Sequence, residues 1–274
     1  MSGISFHNAE PALRNFIIDA TDDLSTILGE SLVSVILHGS LSMGSFHPPK
    51  SDVDLLVIVD ELTEDLARRL YALFEHHHAT RPYAGGMEVS VVLASEVKSP
   101  MAPLAYLVHF SETTTGFRPW IRGEPLIDED LIAHLMVARL RGLSLFGRSP
   151  QEVIGEICWS DYLTSVRGDI DWILDDQNIM TSPYYCILNL CRWAMMIEAK
   201  ARIIPSKDEA GLWALTNLPD ELKGTAAQAL AAYRNSYWPQ TISQRQLAGG
   251  PWHRKPLIEF RDYIRSRYTS GSSV

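Results

Sequence analysis

Hydrophobic positions in the first third of the chain switch between the helical and the strand period. In residues 9–28 apolar side chains recur every three or four positions, which predicts a helix with one buried face. Thr63 begins a further helix that continues to about His78. Three segments have the apolar or alternating pattern of buried strands: SLVSVILHGS (31–40), VDLLVIV (53–59) and GGMEVSVVLA (85–94). The order helix, strand, strand, helix, strand predicts a small mixed sheet with helices.

The remainder of the chain has a helical pattern almost throughout. From residue 128 onward the predicted helices are 128–146, 150–157, 158–176, 183–200, 207–217, 219–236 and 255–268. This change of pattern predicts two domains. The first, residues 1–155, is α/β with a small mixed sheet, and the second, residues 156–274, is an all-α helical bundle.

The charge balance narrows the range of partners. With 24 Lys and Arg against 33 Asp and Glu, the net charge is −9, which argues against a nucleic-acid partner and favours a small or cationic ligand. No apolar run approaches the roughly 20 residues that span a bilayer. The 3 cysteines form no CxxC pair, as is usual in a reduced protein. We therefore expect a cytoplasmic monomer that binds neither nucleic acid nor membrane.

Two carboxylates stand at the start of the second predicted strand. Asp52 and Asp54 are two positions apart, so they point to the same face, while Val53 points to the opposite one. At about 4 Å and an effective dielectric constant near 20, the two charges would repel by roughly 4 kcal/mol. The pair therefore predicts a cation bound between them.

A glycine turn and a third carboxylate accompany this pair. The first predicted strand ends at Gly39 and Ser40, and a Gly-Ser turn offers backbone N–H groups and a hydroxyl to a phosphate. Glu88 interrupts the apolar third strand. Taken singly, Asp52 is explained as a turn residue and Glu88 as an edge-strand charge. Their combination with the turn favours Mg²⁺ held by carboxylates and bridging a phosphate.

This arrangement of G-S, a loop of eleven residues, D-x-D and a later acid resembles the nucleotidyltransferase superfamily of DNA polymerase β. The chain further resembles the aminoglycoside nucleotidyltransferases, closest to the streptomycin/spectinomycin adenylyltransferases, in the segments HGSLSMGSFHPPKSDVDLLV, MEVSVV, LCRW and PSKDEAGLW. The resemblance implies Mg²⁺-dependent transfer of AMP from ATP to a hydroxyl of an aminoglycoside, with release of pyrophosphate and resistance to the antibiotic. The acceptor hydroxyl and the preference for ATP stay open at this level.

The same resemblance implies roles for the motif residues. Asp52 and Asp54 hold the metal ions. Glu88 is either the base that takes the hydroxyl proton or a further metal ligand. The nucleotide phosphates are bound at Gly39, Ser40 and Ser51. Two other functions stay open: nucleotidyl transfer to RNA or protein, and a nucleotide-binding antitoxin or regulatory module without turnover.

Cationic residues recur in two predicted helices of the second domain. Asn189 and Arg192 share one face of the apolar helix 183–200, and a buried guanidinium requires a bound anion or an internal salt bridge. A capping box at 206–209 places Lys207 at the positive end of the next helix, where either an anion or plain surface exposure explains it. In the resembling family the nucleotide triphosphate is contacted by residues that match Arg192, Lys207 and Tyr233.

Acidic residues predict the binding face for the acceptor. If 158–176 is one helix, an acidic stripe around an aromatic is formed by Asp161, Asp169, Trp172 and Asp176. Such a stripe suits a polycationic sugar, although a solvated acidic face has the same pattern. The family carries a Trp and a following Asp here, which Trp172 and Asp176 match. It also carries an acid where this chain has Ser182, and an aromatic after the third strand, for which Trp120 is the candidate.

Overall fold

A computed structural model describes residues 3–113, 116–118, 126–235 and 242–269 of the chain. The chain divides into two compact units, residues 4–165 and residues 166–274, with Gly3 assigned to the second. The division follows Ser165, ten residues beyond the domain boundary that the sequence pattern predicts. It falls inside a continuous helix, Trp159–Ile173, where no change of pattern marks it.

The first unit is the α/β unit. Its strands are β1 (Leu32–His38), β2 (Val53–Val59), β3 (Met87–Leu93), β4 (Leu104–Tyr106), β5 (Val108–Phe110), β6 (Leu126–Asp128) and β7 (Leu143–Gly147). Its helices are α1 (Pro11–Leu28), α2 (Gly39–Ser42), α3 (Glu64–Thr80), α4 (Ala94–Lys98), α5 (Leu131–Arg141), α6 (Pro150–Val153) and the first part of α7 (Trp159–Ile173).

The main sheet of this unit is mixed. Within the described residues it has five strands in the order β5-β3-β2-β1-β7. The strands β2 and β3 are parallel, and the other neighbouring pairs are antiparallel. A separate two-stranded sheet is formed by β4 and β6. The predicted α/β class with a mixed sheet is confirmed.

One face of the main sheet forms the hydrophobic core of the unit. Val53, Leu55, Val57 and Val59 of β2 are each at most 1% exposed and pack with buried residues of α1 and α3. Burying a side chain of this size contributes about 1.5–3 kcal/mol, which fixes the face that β2 turns inward. Because successive side chains of a strand alternate, Asp54 belongs to the opposite face.

Residues 143–147 form a strand where the apolar spacing predicts a helix over 128–146. The helix α5 ends at Arg141, and β7 then pairs antiparallel with β1. A Cβ atom at Gly142 would lie 2.2 Å from a carbonyl oxygen of α5, so the glycine permits the tight exit from the helix. The apolar residues fit both periods, and the hydrogen-bonding edge of β1 decides for the strand. The prediction of helix is wrong here.

The second unit is helical. Beyond the end of α7 it contains α8 (Asn178–Thr181), α9 (Pro183–Glu198), α10 (Lys207–Asn217), α11 (Asp220–Arg234), α12 (Ile242–Gln246), α13 (Arg254–Ile264) and a π turn (Arg265–Thr269). The helix α9 is its centre and contacts α10, α11 and α13. Buried residues lie on nearly all sides of α9, among them Cys186, Ile187, Leu188, Asn189, Cys191, Trp193 and Met196. The predicted helical bundle is confirmed.

Two predicted helices end earlier than their apolar pattern suggests. The helix predicted over 150–157 stops at Val153. The helix predicted over 158–176 stops at Ile173, and Asp175 accepts a hydrogen bond from the Gln177 N–H at 2.8 Å, an Asx turn that competes with helix. In the described ranges, no helix combines the length and the apolar character that crossing a bilayer requires.

Candidate active site

Three polar side chains lie in a row across the main sheet. In the antiparallel register of β1 and β2, His38 is opposite Asp54, and in the parallel register of β2 and β3, Asp54 is beside Glu88. Register partners place their side chains on the same face of a sheet. Both carboxylates are half-buried, and on β2 the same face continues with the fully buried Leu56 and Ile58. The structure thus brings together two of the three carboxylates that the sequence singles out.

Gly39 closes this row at the end of β1. Its φ is +66°, in the left-handed region, and a Cβ atom here would lie 1.8 Å from Oδ2 of Asp54. Glycine alone tolerates both the backbone conformation and this close approach. The turn continues through α2, where the N–H of Ser45 donates to the carbonyl of Ser40 at 2.8 Å. The Gly39-Ser40 turn therefore lies directly against the carboxylate.

Replacing Gly39 with alanine is expected to lower the free energy of unfolding by about 1–3 kcal/mol and to displace the Asp54 carboxylate. Gly44 is a matched control, because its φ is +69° while a Cβ there would meet nothing closer than 3.7 Å. Chemical denaturation of Gly39→Ala and Gly44→Ala gives the loss of unfolding free energy in each variant. The difference between the two losses is the cost of the overlap between the new Cβ atom and Asp54, because both variants have the strained φ. Equal losses in the two variants would contradict the close approach.

Asp52 is held by Gly86, the second of two glycines that precede β3. The N–H of Gly86 donates to Oδ1 of Asp52 at 2.6 Å, and a Cβ atom at Gly86 would lie 2.6 Å from that oxygen. The Tyr83 hydroxyl donates to the Gly86 carbonyl at 2.9 Å. Burial, and after it the charges of Asp52 and Asp54, raises the pKa of Tyr83, so the phenol keeps its proton. In the sequence, the support of Asp52 is indicated by the pair Gly85-Gly86, which is not part of the nucleotidyltransferase motif.

The two serines of the motif have different surroundings. In the part of the chain that the structure describes, the buried Ser40 Oγ has no hydrogen-bond partner. A buried hydroxyl left unpaired costs about 1–3 kcal/mol. The Ser51 Oγ accepts the N–H of His47 at 3.0 Å and so braces the loop before Asp52. Ser40 therefore fits a ligand oxygen, whereas Ser51 holds the loop.

His134 extends the row of polar groups that begins with His38, and the resemblance to the family assigns neither histidine a role. Nδ1 of His134 on α5 lies 3.6 Å from Oε1 of Glu88, and the His134 ring centre is 5.5 Å from that of His38. Burial, reinforced by His134, lowers the pKa of His38 to about 3, so this imidazole is neutral. The sequence signal for His134 is a lone histidine in the apolar helix LIAHLMVARL (131–140).

The donor set fits a magnesium ion that a nucleotide completes. Among the described residues, no three His, Cys, Asp or Glu side chains are grouped closely enough to form a ready-made metal cage. Mg²⁺ commonly takes only one or two protein carboxylates and fills its shell with substrate phosphates and water. Asp52 and Asp54 supply such carboxylates, and the unpaired hydroxyl of Ser40 lies in the turn packed against Asp54. These residues fit Mg²⁺ bound together with a nucleotide.

A second polar group lies on α9 in the helical unit. Nε of the half-buried Arg192 donates to the Pro205 carbonyl at 2.9 Å, and Nη1 donates to Oδ1 of Asn189 at 3.0 Å. Both partners are neutral oxygens, and no salt bridge to Arg192 is formed within the described residues. The sequence pattern left open an internal salt bridge for Arg192, and among the described residues that alternative is wrong. Among the described residues, the charge of this guanidinium is therefore not balanced by a carboxylate in contact with it.

Lys207 begins α10 behind the predicted capping box, which is confirmed. The Ser206 Oγ accepts the N–H of Glu209 at 3.1 Å. Nζ of Lys207 lies 4.8 Å from the ring centre of Tyr185 and 5.7 Å from that of Tyr233. Ring faces attract cations at these distances, so Lys207 is not a simple surface lysine. Tyr185 is a member of this group that the sequence does not indicate.

Asp176 lies beyond the helix that would align it with the acidic stripe, because α7 ends at Ile173. Its carboxylate accepts hydrogen bonds from Nη1 of Arg261 and, at 2.8 Å, from Nη2 of Arg254. The hydrogen bond from Arg261, followed by the charges of the surrounding arginines, lowers the pKa of Asp176. The carboxylate is therefore ionised and shares its charge with two cations of its own unit.

The other residues considered for the acceptor have varied positions. Trp172 is 46% exposed on α7. Asp169 accepts a hydrogen bond from the Tyr185 hydroxyl at 3.0 Å. Ser182 is buried at the start of α9. Trp120 lies outside the described residues.

Comparison with known proteins matches both units. Residues 20–104 match the nucleotidyltransferase domain family, and residues 152–248 match the aminoglycoside adenylyltransferase C-terminal domain family. A crystal structure of spectinomycin adenyltransferase AAD(9) from Enterococcus faecialis, with ATP and spectinomycin, has a TM-score of 0.72 at 18% identity and covers 93% of this chain and 99% of that one. The cyclic dinucleotide synthase CdnE from Elizabethkingia meningoseptica, with GTP and Apcpp, reaches only 0.31 at 12% identity, over 94% of this chain and 92% of that one. No curated protein sequence matches the chain.

The fold, the D-x-D carboxylates and the first domain match define the chain as an enzyme of the nucleotidyltransferase class. The match of the helical region to the adenylyltransferase C-terminal domain narrows this class. The two domain matches together support an aminoglycoside nucleotidyltransferase, and the resemblance carried by the motifs of the chain is confirmed.

Proposed function

We propose that the protein transfers AMP from ATP to a hydroxyl of an aminoglycoside and releases pyrophosphate, with Mg²⁺ as cofactor. The observation that carries this proposal is the packing of the Gly39-Ser40 turn against Asp54, with Glu88 in register beside it. One end of the sheet therefore carries the unpaired hydroxyl of Ser40 and the carboxylates of Asp54 and Glu88. The Asp54 carboxylate suits a metal ion, and the Glu88 carboxylate suits a base.

In this proposal the acceptor oxygen bonds to the α-phosphorus of ATP while the bond from that phosphorus to the pyrophosphate oxygen breaks. Glu88 accepts the hydroxyl proton, a role that suits a half-buried carboxylate that solvent and an acceptor can reach. Asp52 and Asp54 would hold Mg²⁺, which when bound offsets the negative charge of the phosphates. The Ser40 hydroxyl donates to a phosphate oxygen. Ser51 acts by bracing the loop that carries Asp52.

The helical unit is proposed to bind the triphosphate. Arg192 presents a guanidinium whose described partners are neutral oxygens. Lys207 is held over two aromatic rings, one of them that of Tyr233, at the positive end of α10. A guanidinium such as that of Arg192, whose described partners are neutral oxygens, suits a polyanion such as a nucleoside triphosphate.

The acceptor is proposed to be a cationic sugar recognised by Trp172 and Asp176. A net charge of −9 favours such a ligand. The related AAD(9) was crystallised with spectinomycin. The exposed indole of Trp172 offers a flat apolar surface, and the ionised carboxylate of Asp176 offers an acceptor for an ammonium group.

Pyrophosphate release tests the proposed activity. The purified protein is incubated with Mg²⁺ and each nucleoside triphosphate, with streptomycin, spectinomycin, other aminoglycosides, RNA or a protein mixture as acceptor. We expect release with ATP and at least one aminoglycoside. Release only with RNA or protein, or binding of nucleotide without release under any condition, would overturn the proposal.

Replacing Asp176 with asparagine is expected to weaken acceptor binding by about tenfold and to leave ATP binding unchanged. The expected loss is at the low end for a charge-assisted hydrogen bond, because Arg254 and Arg261 already share the carboxylate. Asp171 is a matched control, since it is also an exposed acid of this unit paired with an arginine, Arg167, at 2.8 Å. Calorimetry of acceptor binding to both variants provides the test, and equal affinities would rule out the assignment of Asp176.

A further inference from the structure

Asn189 carries a buried hydrogen-bond donor without a partner. The residue is only 5% exposed, on the central helix α9. Within the described residues its Nδ2 has no hydrogen-bond partner. Buried side-chain amides are nearly always satisfied, so an unpaired amide in a packed core indicates a ligand-binding group more than a packing group.

The contact with Arg192 fixes the orientation of this amide. Nη1 of Arg192 donates to Oδ1 of Asn189 at 3.0 Å. Exchanging the amide oxygen and nitrogen would set two donors against each other, so the donor orientation follows from the arginine. Nδ2 is therefore presented from the same amide group that touches the guanidinium.

Donors of the helical unit converge near the start of α10. Nε of Arg192 donates to the carbonyl of Pro205, which precedes the N-cap residue Ser206 by one position. Lys207 is the first residue of the helix. Asn189 Nδ2, the guanidinium of Arg192 and the helix N-terminus are all donors, and a phosphate oxygen accepts from several donors at once.

We propose that Asn189 is a nucleotide-binding residue: Oδ1 orients Arg192, and Nδ2 donates a hydrogen bond to an oxygen of the triphosphate. This inference rests on the proposed function, because it assigns a new contact to the proposed nucleotide. A residue that only packed α9, or only oriented Arg192, would leave Nδ2 without a role.

The test compares ATP with adenosine as the calorimetric ligand. In Asn189→Leu, an uncharged replacement of similar size, the affinity for ATP should fall about tenfold, and binding of adenosine should not change. Asn217→Leu is the control, since it makes the same substitution at an exposed amide at the end of α10. Equal ATP affinity of wild type and Asn189→Leu, or an equal loss for adenosine, would overturn the inference.

A double-mutant cycle with Arg192→Met separates the two roles of the amide. If Nδ2 itself donates to the nucleotide, Asn189→Leu lowers ATP affinity further in the Arg192→Met background. No further loss there means that Asn189 acts only through Arg192, and the donor contact is rejected.

The variant Asn189→Asp provides a second test of the same contact. Asn189→Asp preserves the shape of the side chain and the acceptor for Arg192, so it serves if Asn189→Leu does not fold, and it too should lose at least about tenfold in ATP affinity. Wild-type affinity in Asn189→Asp would equally overturn the contact. If the wild-type protein binds no ATP, the proposed function fails, whereas ATP binding that no Asn189 variant alters rejects only the inference.

Discussion

Replacing Asp52 with asparagine is expected to lower kcat by about 10²- to 10³-fold while the fold is retained. The change removes a negative oxygen that would hold the metal. The amide oxygen of asparagine still accepts the hydrogen bond that the Gly86 N–H donates at 2.6 Å. Loss of one charge also relieves repulsion with Asp54, so the unfolding midpoint should stay the same or rise slightly.

Asp60 supplies the matched control for this variant. It is an exposed carboxylate directly after the other end of β2. Asp60→Asn makes the same change of charge at the opposite end of β2 and should leave pyrophosphate release unchanged. A folded Asp52→Asn protein with the turnover of Asp60→Asn would contradict the metal-binding role.

Replacing Glu88 with glutamine is expected to lower kcat by about 10²- to 10⁴-fold and to leave the affinity for Mg²⁺-ATP nearly unchanged. Glutamine has the same shape but cannot take a proton from the acceptor hydroxyl. The two candidate roles of Glu88 differ in this respect, because loss of a metal ligand would weaken nucleotide binding as well.

Calorimetry of Mg²⁺-ATP binding, measured together with turnover, therefore decides between a base and a metal ligand. Glu96→Gln, at an exposed acid on α4 just after β3, is the control for a general effect of charge. Poor nucleotide binding by Glu88→Gln would favour the ligand role. Full turnover would exclude both roles.

Local sequence patterns predict the elements that position the site. The alternation along β2 buries Val53, Leu55 and Val57, and this alone sends Asp54 to the opposite face. The N-cap at Thr63 is confirmed, since its hydroxyl oxygen accepts the N–H of Leu66 at 3.3 Å. These features depend on residues within a few positions of one another, so the sequence contains all the information that they require.

Contacts between distant segments explain what the sequence does not predict. The segment 143–147 is a strand because β1 offers it a hydrogen-bonding edge, although the two are more than a hundred residues apart in the chain. His134 approaches Glu88 from α5, a helix that follows β3 by some forty residues. The hydrophobic pattern around residues 143–147 does not indicate β1 as their partner, and the pattern around His134 does not indicate Glu88.

The sequence by itself determined the class of the protein, the D-x-D carboxylates, the third acid on β3 and the capping box before Lys207. Each of these follows from local periodicity or from a motif whose spacing the chemistry requires. Only the tertiary structure decided the surroundings of those groups: Asp54 against Gly39, Asn189 against Arg192, and Asp176 against arginines of α13. The charge that a side chain offers to a ligand depends on such neighbours, and packing between elements, which local pattern does not encode, selects them.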